Sequence, residues 1–120
     1  MHQPVIDPAR VTRYHAHVYY RPETREAAAA LRRELEARSP AVRLGRWHDA
    51  LVGPHTTSMY QVAFAPAEFA RLVPWLMLNR GPLAVLVHPD TGEDLADHRD
   101  HAMWLGERQP LRLEALGGTD

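Results

Sequence analysis

Cysteine and lysine are both absent from this chain of 120 residues. Without cysteine the chain cannot form a disulfide, a thiolate nucleophile, an iron–sulfur cluster or a zinc site with sulfur ligands. Any chemistry must therefore use histidine, carboxylates, tyrosine or arginine. A chain of this length buries about 65% of its unfolded surface, which is enough for a core without cross-links. A bound metal would accordingly be expected to serve function rather than folding.

Excess charge and long apolar runs are also missing. The 14 basic residues are all arginine, and with 15 acidic residues they give a net charge of -1. No basic surface for nucleic acid or anionic lipid follows from this balance. No apolar run approaches the roughly 18 residues needed to cross a bilayer, and the N-terminus lacks the pattern of a secretory signal. We expect a cytoplasmic protein with no nucleic-acid or membrane partner.

The length is typical of one domain, which we place at 13–107, between a flexible N-terminal arm at 1–12 and a C-terminal tail at 108–120. Hydrophobic periodicity and turn residues predict the elements in order. Strands are predicted at 13–20, 41–47, 58–64, 83–88 and 102–105, with helices at 23–38 and from Pro66 to a stop at 79–82. Pro74 predicts a bend near residue 70 or a tolerated kink.

The repeated β-α-β order predicts an α+β fold, the ferredoxin-like split β-α-β sandwich, in which an antiparallel sheet carries two helices on one face. Alternation in the first strand puts Tyr14 and Val18 on the helix-covered face and His15 and His17 on the other. The first strand of this topology lies between the third and the fourth. His88, at the end of the fourth strand, should therefore approach His15 and His17.

Histidine is plentiful, with eight in the chain. His15 and His17 lie on one side of a strand with α-carbons roughly 6.6 to 6.8 Å apart, so their rings can converge on one ion. Imidazole and carboxylate ligands suit zinc, iron or manganese. We therefore take His15, His17 and His88 as candidate metal ligands. The competing interpretation is a set of partly exposed histidines that contact tyrosine or carboxylate neighbours.

Two further histidine segments depend on local structure. If residues 93–101 are helical, His98 and His101 share a face and can close a site over the sheet; in a loop they are solvated. Asp94 and Asp97 are candidate carboxylate ligands or orienting groups. A simple topology puts His55 on the opposite side of the sheet, so either it serves a neighbouring subunit or its loop folds back.

Candidate substrate-binding residues are Gln61 and Tyr19, which share the histidine face, and Arg80. Arg80 follows the second helix and can bind a carboxylate through two hydrogen bonds, although a basic residue at a helix C-terminus is also favoured by the helix dipole. The chain has no Gly-rich phosphate loop, nucleophile elbow or HExxH motif. Kinase, serine hydrolase and zincin functions are therefore disfavoured.

Several blocks occur together in one order: Tyr14-His-Ala-His-Val-Tyr-Tyr20, Gly53-Pro-His55, Trp75-Leu-Met-Leu-Asn-Arg-Gly81, Leu86-Val-His-Pro-Asp-Thr-Gly92, Asp97-His98 and Trp104-Leu-Gly106. With these blocks the chain resembles the DOPA 4,5-dioxygenase family from about residue 13 to about residue 107. The resemblance implies a homodimeric, non-haem Fe(II)-dependent extradiol dioxygenase that opens a catechol such as L-DOPA with O₂.

The family's histidines map onto His15, His17, His55, His88 and His98. His55 and His98 are the candidates for catalytic proton transfer, and the participation of a carboxylate ligand is left open. Two alternatives are a non-catalytic dimeric α+β protein that binds a metal or small molecule, and a zinc-dependent hydrolytic enzyme. Zinc is a second metal that could occupy the site in a crystal. Metal content and O₂ uptake distinguish these functions.

Overall fold

The computed structural model describes residues 4–116. Its strands are β1 (Arg13–Tyr20), β2 (Arg43–Leu44), β3 (Ser58–Phe64), β4 (Ala84–Asp90) and β5 (Met103–Leu105), and its helices are α1 (Arg25–Arg38), α2 (Phe69–Asn79) and α3 (Asp94–Arg99). Short 3-10 turns at Pro22–Thr24 and Pro66–Glu68 lead into α1 and α2. Proline fits both turns because the first helical residues need no backbone donor. Within residues 4–116, no helix combines the length and the apolar character needed to cross a membrane.

The five strands form one antiparallel sheet in the order β2-β3-β1-β4-β5. The predicted ferredoxin-like α+β fold is confirmed, with β1 between β3 and β4 and β5 added at the edge. The register pairs His15 with His88 of β4, and His17 with Gln61 of β3. The centre of the sheet therefore presents polar side chains from three strands at neighbouring positions.

Period-two alternation in β1 separates the two faces of the sheet. Ala16 and Val18 point to the helix-covered face and are fully buried. They pack there with Leu35 of α1 and Leu76 of α2. The hydroxyl of Tyr60 donates to the carbonyl of Ala28 at 2.8 Å, which joins β3 to α1 inside this core.

Three local features differ from the expected pattern or resolve it. The predicted strand at 41–47 is reduced to Arg43–Leu44. Pro74 lies inside α2, which continues without interruption from Phe69 to Asn79. Pro74 is the sixth residue of this helix, so it removes an interior backbone hydrogen bond, which the helix tolerates. The segment 93–101 is helical from Asp94 to Arg99.

The far face of the sheet is covered by irregular chain. Tyr19, Met59 and Leu86 form a second apolar cluster there, against which Trp104 and Leu111 pack. The covering chain consists of the loop between β2 and β3 together with the segment that follows β5. These two segments, together with α3, cover the face that α1 and α2 leave uncovered.

The chain after residue 107 is hydrogen-bonded to that loop. The backbone N–H of Arg112 donates to the carbonyl of Pro54 at 2.7 Å, and the Thr56 hydroxyl donates to Pro110 at 2.6 Å. Leu116 is 8% exposed. Part of the segment that the sequence places in a tail at 108–120 therefore packs on the sheet and holds the loop in position; its last four residues lie outside the described part of the chain.

Burial predicts that two leucines, one in α1 and one in α2, contribute very differently to the free energy of unfolding. Leu35→Ala should lower the free energy of unfolding by about 2–5 kcal/mol, because Leu35 is fully buried and its removal leaves a cavity. Leu78→Ala in α2 is the matched control, because Leu78 is 85% exposed and its truncation should change stability by about 0.5 kcal/mol or less. Urea denaturation measures both; equal effects would contradict the packing described.

Candidate functional site

Three histidines from two strands meet on the far face of the sheet. His15 and His17 lie two residues apart on β1, and β4 brings His88 beside them. His17 and His88 are each 3% exposed, whereas His15 is partly exposed. Their Nε2 atoms, one from His17 and one from His88, lie 3.0 Å apart. The predicted grouping of these three residues is present in the structure.

Two more histidines complete the cluster from irregular and helical chain. The loop before β3 folds back over the sheet, so His55 reaches His17 with ring centroids 4.3 Å apart. Gly53 makes this turn with φ of 55°, a conformation that glycine adopts without strain. From α3, His98 approaches His88 with ring centroids 4.0 Å apart. His55 therefore lies on the same side of the sheet as His15 and His17, because its loop folds back within one chain.

The five histidines line a cavity of about 280 Å³. Gln61 contributes a polar wall, and Val52, Met59 and Leu116 contribute apolar walls. Asp90, Asp94 and Asp97 lie at the same cavity, and Asp90 is paired with Arg13 at 3.3 Å. The cavity thus combines imidazole nitrogens with an apolar surface that suits a flat ring. Sequence patterns gave no sign of Leu116, which lies in the predicted tail.

Burial keeps three of the clustered imidazoles, His17, His55 and His88, uncharged. Burial, with smaller contributions from the nearby His98 and His48, lowers the pKa of His55 to about 4. Burial also lowers the pKa of His88 to about 4, with His98 adding to the effect. For His17, burial and then His55 and His88 bring the pKa well below its ordinary value. Neutral imidazole is the form that binds metals.

Backbone carbonyls fix the tautomers of two members. His88 Nδ1 lies 2.9 Å from the carbonyl of Pro89, and His98 Nδ1 lies 2.8 Å from the carbonyl of Asp94. A carbonyl can only accept, so each Nδ1 carries the hydrogen and each neutral ring keeps its lone pair on Nε2. This outer hydrogen bond is the usual support of a metal-binding histidine. The Nδ1 of His17 is buried and has no partner among residues 4–116.

Two sets of three histidines have nitrogens within 4.8 Å of one another: His15 with His17 and His88, and His17 with His55 and His98. Two ligands about 2.1 Å from one ion and about 90° apart would lie about 3.0 Å from each other, as the Nε2 atoms of His17 and His88 do. In the described chain, both candidate metal groups contain histidine alone.

The carboxylate of Asp97 has a different task. It is buried and accepts hydrogen bonds from the backbone N–H of Thr91 at 2.8 Å and from the Thr91 hydroxyl at 2.7 Å. It thereby ties α3 to the turn after β4. Asp97 holds the helix that carries His98 and does not complete either set of three histidines.

Two of the expected substrate contacts lie elsewhere. Arg80 caps the end of α2, where it donates to the carbonyl of Met77, and it lines a depression between α1 and α2. That depression is on the helix side of the sheet, so Arg80 is not brought to the histidines. Tyr19 is 3% exposed and its hydroxyl lies 2.7 Å from Nδ1 of His55. It contacts a histidine from behind and does not line the cavity. His101 lies outside the cavity as well, beside Asp97.

The lowered pKa values predict how stability depends on pH in the metal-free protein. His55 and His88 have folded pKa values of about 4, against 6.5 as the ordinary value. Between these values the unfolded chain binds more protons than the folded chain, so the free energy of unfolding falls as pH is lowered from 6.5 towards 4. Urea denaturation at pH 7 and pH 5 measures this loss.

His55→Gln should reduce the loss, because one of the proton-binding groups is removed, while His101→Gln serves as the control outside the cluster. An identical pH dependence in wild type and His55→Gln would contradict the uncharged state of His55.

Comparisons with known proteins identify relatives of this chain. The family model described as the Dopa 4,5-dioxygenase family matches residues 14–115. A solved structure from Nostoc punctiforme, described as a candidate dioxygenase, is 47% identical and covers 93% of this chain and 96% of its own, with a TM-score of 0.91.

Two curated relatives are fungal. An uncharacterized 21.2 kDa protein of Botryotinia fuckeliana is 38% identical over 86% of this chain and 62% of its own length. The DOPA 4,5-dioxygenase of Amanita muscaria is 34% identical over 95% of this chain and 53% of its own length. The chain thus spans between half and two thirds of these relatives. With its matching residues running through β1, the His55 loop, β4 and α3, the chain belongs to the Dopa 4,5-dioxygenase family.

Proposed function

We propose that the protein is a non-haem Fe(II)-dependent extradiol dioxygenase that cleaves the ring of a catechol such as L-DOPA with O₂. The observation that carries the proposal is the cluster of five histidines around one cavity in a member of a dioxygenase family. Burial lowers the pKa values of His17, His55 and His88 and leaves these three imidazoles neutral, with a lone pair each. A homodimer remains part of the proposal.

His15, His17 and His88 are the residues that would hold the metal. The 3.0 Å separation between His17 and His88 suits two ligands of one ion. In the metal-free chain His17 donates from Nε2 to the lone pair on His88 Nε2; a bound ion would replace that hydrogen bond, and the unpaired Nδ1 of buried His17 would then carry the hydrogen of the ring. Fe(II) at this place would supply open coordination positions and the redox chemistry that a catechol needs to react with O₂. His15, His17 and His88 would bind as neutral imidazoles and would add no charge of their own to the site.

The remaining side chains shape the reaction around that position. His55 and His98 lie next to the proposed ligands and face the same cavity, so they can contact the catechol oxygens and their protons. Met59, Val52 and Leu116 supply apolar walls for the ring and exclude water. Gln61 is the neutral polar group that can bind a substrate oxygen. Arg80 has no part in this proposal, because it lies on the other side of the sheet.

Metal binding tests the ligand assignment. His17→Ala should weaken binding of Fe(II), or of Co(II) as a spectroscopic substitute, by at least about 100-fold, because two ligands cannot replace three. His88→Ala should do the same. His101→Ala is the matched control and should bind normally, because His101 lies outside the cavity. Full metal content in both His17→Ala and His88→Ala would place the metal elsewhere.

Oxygen consumption tests the reaction. Protein loaded anaerobically with Fe(II) should take up O₂ when L-DOPA is added and should give a yellow ring-opened product. An oxygen electrode and the visible spectrum measure both. Uptake with iron but not with zinc supports the proposal; a zinc-loaded protein that hydrolyses esters without O₂, or a protein that binds metal and consumes no O₂ with L-DOPA, caffeate or protocatechuate, would contradict it.

A further inference from the structure

Tyr19 places a hydroxyl group behind one histidine of the cavity. Its ring is buried between the sheet and Trp104, whose ring stacks on it at 5.7 Å. The hydroxyl lies 2.7 Å from Nδ1 of His55, and it makes no other hydrogen bond to residues 4–116. Burial raises the pKa of Tyr19 above its ordinary value, so the phenol keeps its hydrogen. That phenol hydrogen needs an acceptor.

The acceptors that are available decide which group donates in the hydrogen bond between Tyr19 and His55. If Nδ1 of His55 donated to the phenol oxygen, the phenol hydrogen would be buried without an acceptor, which is costly for a desolvated donor. If the phenol donates to Nδ1, both groups are satisfied. The hydrogen of the neutral His55 ring then sits on Nε2. This is the reverse of His88 and His98, whose Nδ1 atoms face carbonyl oxygens.

We infer that Tyr19 is a positioning residue that holds His55 as a neutral hydrogen-bond donor, with its Nε2–H directed into the cavity, and so excludes His55 from metal ligation. The Nε2 atom makes no hydrogen bond to the described chain and is not among its buried unpaired atoms, so it is open to the cavity. Two hydrogen bonds to the C-terminal segment fix the position of the loop independently. The backbone N–H of Arg112 donates to the carbonyl of Pro54, and the Thr56 hydroxyl donates to the carbonyl of Pro110.

This assignment divides the work of two neighbouring histidines and rests on the proposed function for its catalytic part. A neutral imidazole that donates from Nε2 can stabilise negative charge on a substrate oxygen without transferring its proton. His98 keeps a lone pair on Nε2 because its Nδ1 donates to Asp94. His98 is therefore the group that can accept a catechol proton, becoming a cation, and return that proton later. His55 begins and ends the cycle uncharged.

The tautomer can be read without metal or substrate. Two-bond proton–nitrogen NMR spectra of the metal-free protein at neutral pH should show His55 protonated on Nε2 and His98 protonated on Nδ1. Tyr19→Phe should convert His55 to a mixture of tautomers. Tyr20→Phe is the matched control: its hydroxyl also makes a 2.7 Å bond, but to Asp49, and its loss should leave His55 unchanged. A bare Nε2 on His55 in the wild type, or no response to Tyr19→Phe, would overturn the inference.

Two further measurements separate a donor from a ligand. His55→Gln, which keeps an N–H group, and His55→Ala should both retain metal affinity in a Co(II) titration; a large loss in either would overturn the inference. In the iron-loaded enzyme, His55→Ala should lower kcat by about 10²-fold or more, with partial rescue in His55→Gln. Tyr19→Phe combined with His55→Ala should be no slower than His55→Ala alone; additive losses would contradict the coupling.

If no catechol is cleaved, the proposed function fails, while the NMR and metal results still decide the tautomer of His55.

Discussion

The structure depends on keeping a group of imidazoles uncharged while they are packed against one another. His17 and His88 are almost fully enclosed and their Nε2 atoms are 3.0 Å apart. Two charged rings at this distance would repel each other strongly in a poorly solvated place. Burial shifts their pKa values downward, so that at neutral pH each ring has a lone pair to offer. A face built in this way is suited to a cation and unsuited to a proton.

The sheet supports this arrangement because its two faces have separate functions. One face packs under α1 and α2 and contributes the main core, including Val18 and Tyr60. The other face carries the histidines at one end and the apolar cluster around Tyr19 and Leu86 at the other. Adjacent residues of β1 thus serve stability and chemistry in alternation. This explains how a chain of 120 residues accommodates both a core and a histidine-lined cavity on one sheet without disulfides.

The histidines of the cluster differ in their tautomers, because their Nδ1 atoms have different hydrogen-bond partners. Carbonyl oxygens behind His88 and His98 require a hydrogen on Nδ1, whereas a hydroxyl behind His55 can supply one. Residues that never touch a substrate can therefore decide whether a ring accepts or donates at the cavity. Asp97 acts less directly, because its hydrogen bonds with Thr91 fix the position of the helix that carries His98.

The sequence by itself determined the fold and the grouping of three of the five histidines. Alternation in β1 and the strand order were enough to place His15, His17 and His88 together, because neighbouring strands of a sheet have a fixed spacing. The family resemblance added His55 and His98, but periodicity could not show how they arrive. Only the tertiary structure decided three features of the site. These are the turn at Gly53, the hydrogen bonds that join the loop to Pro110 and Arg112, and the position of Arg80 on the helix side of the sheet. Irregular chain follows no repeating geometry, and its path depends on hydrogen bonds between segments that are distant in the sequence.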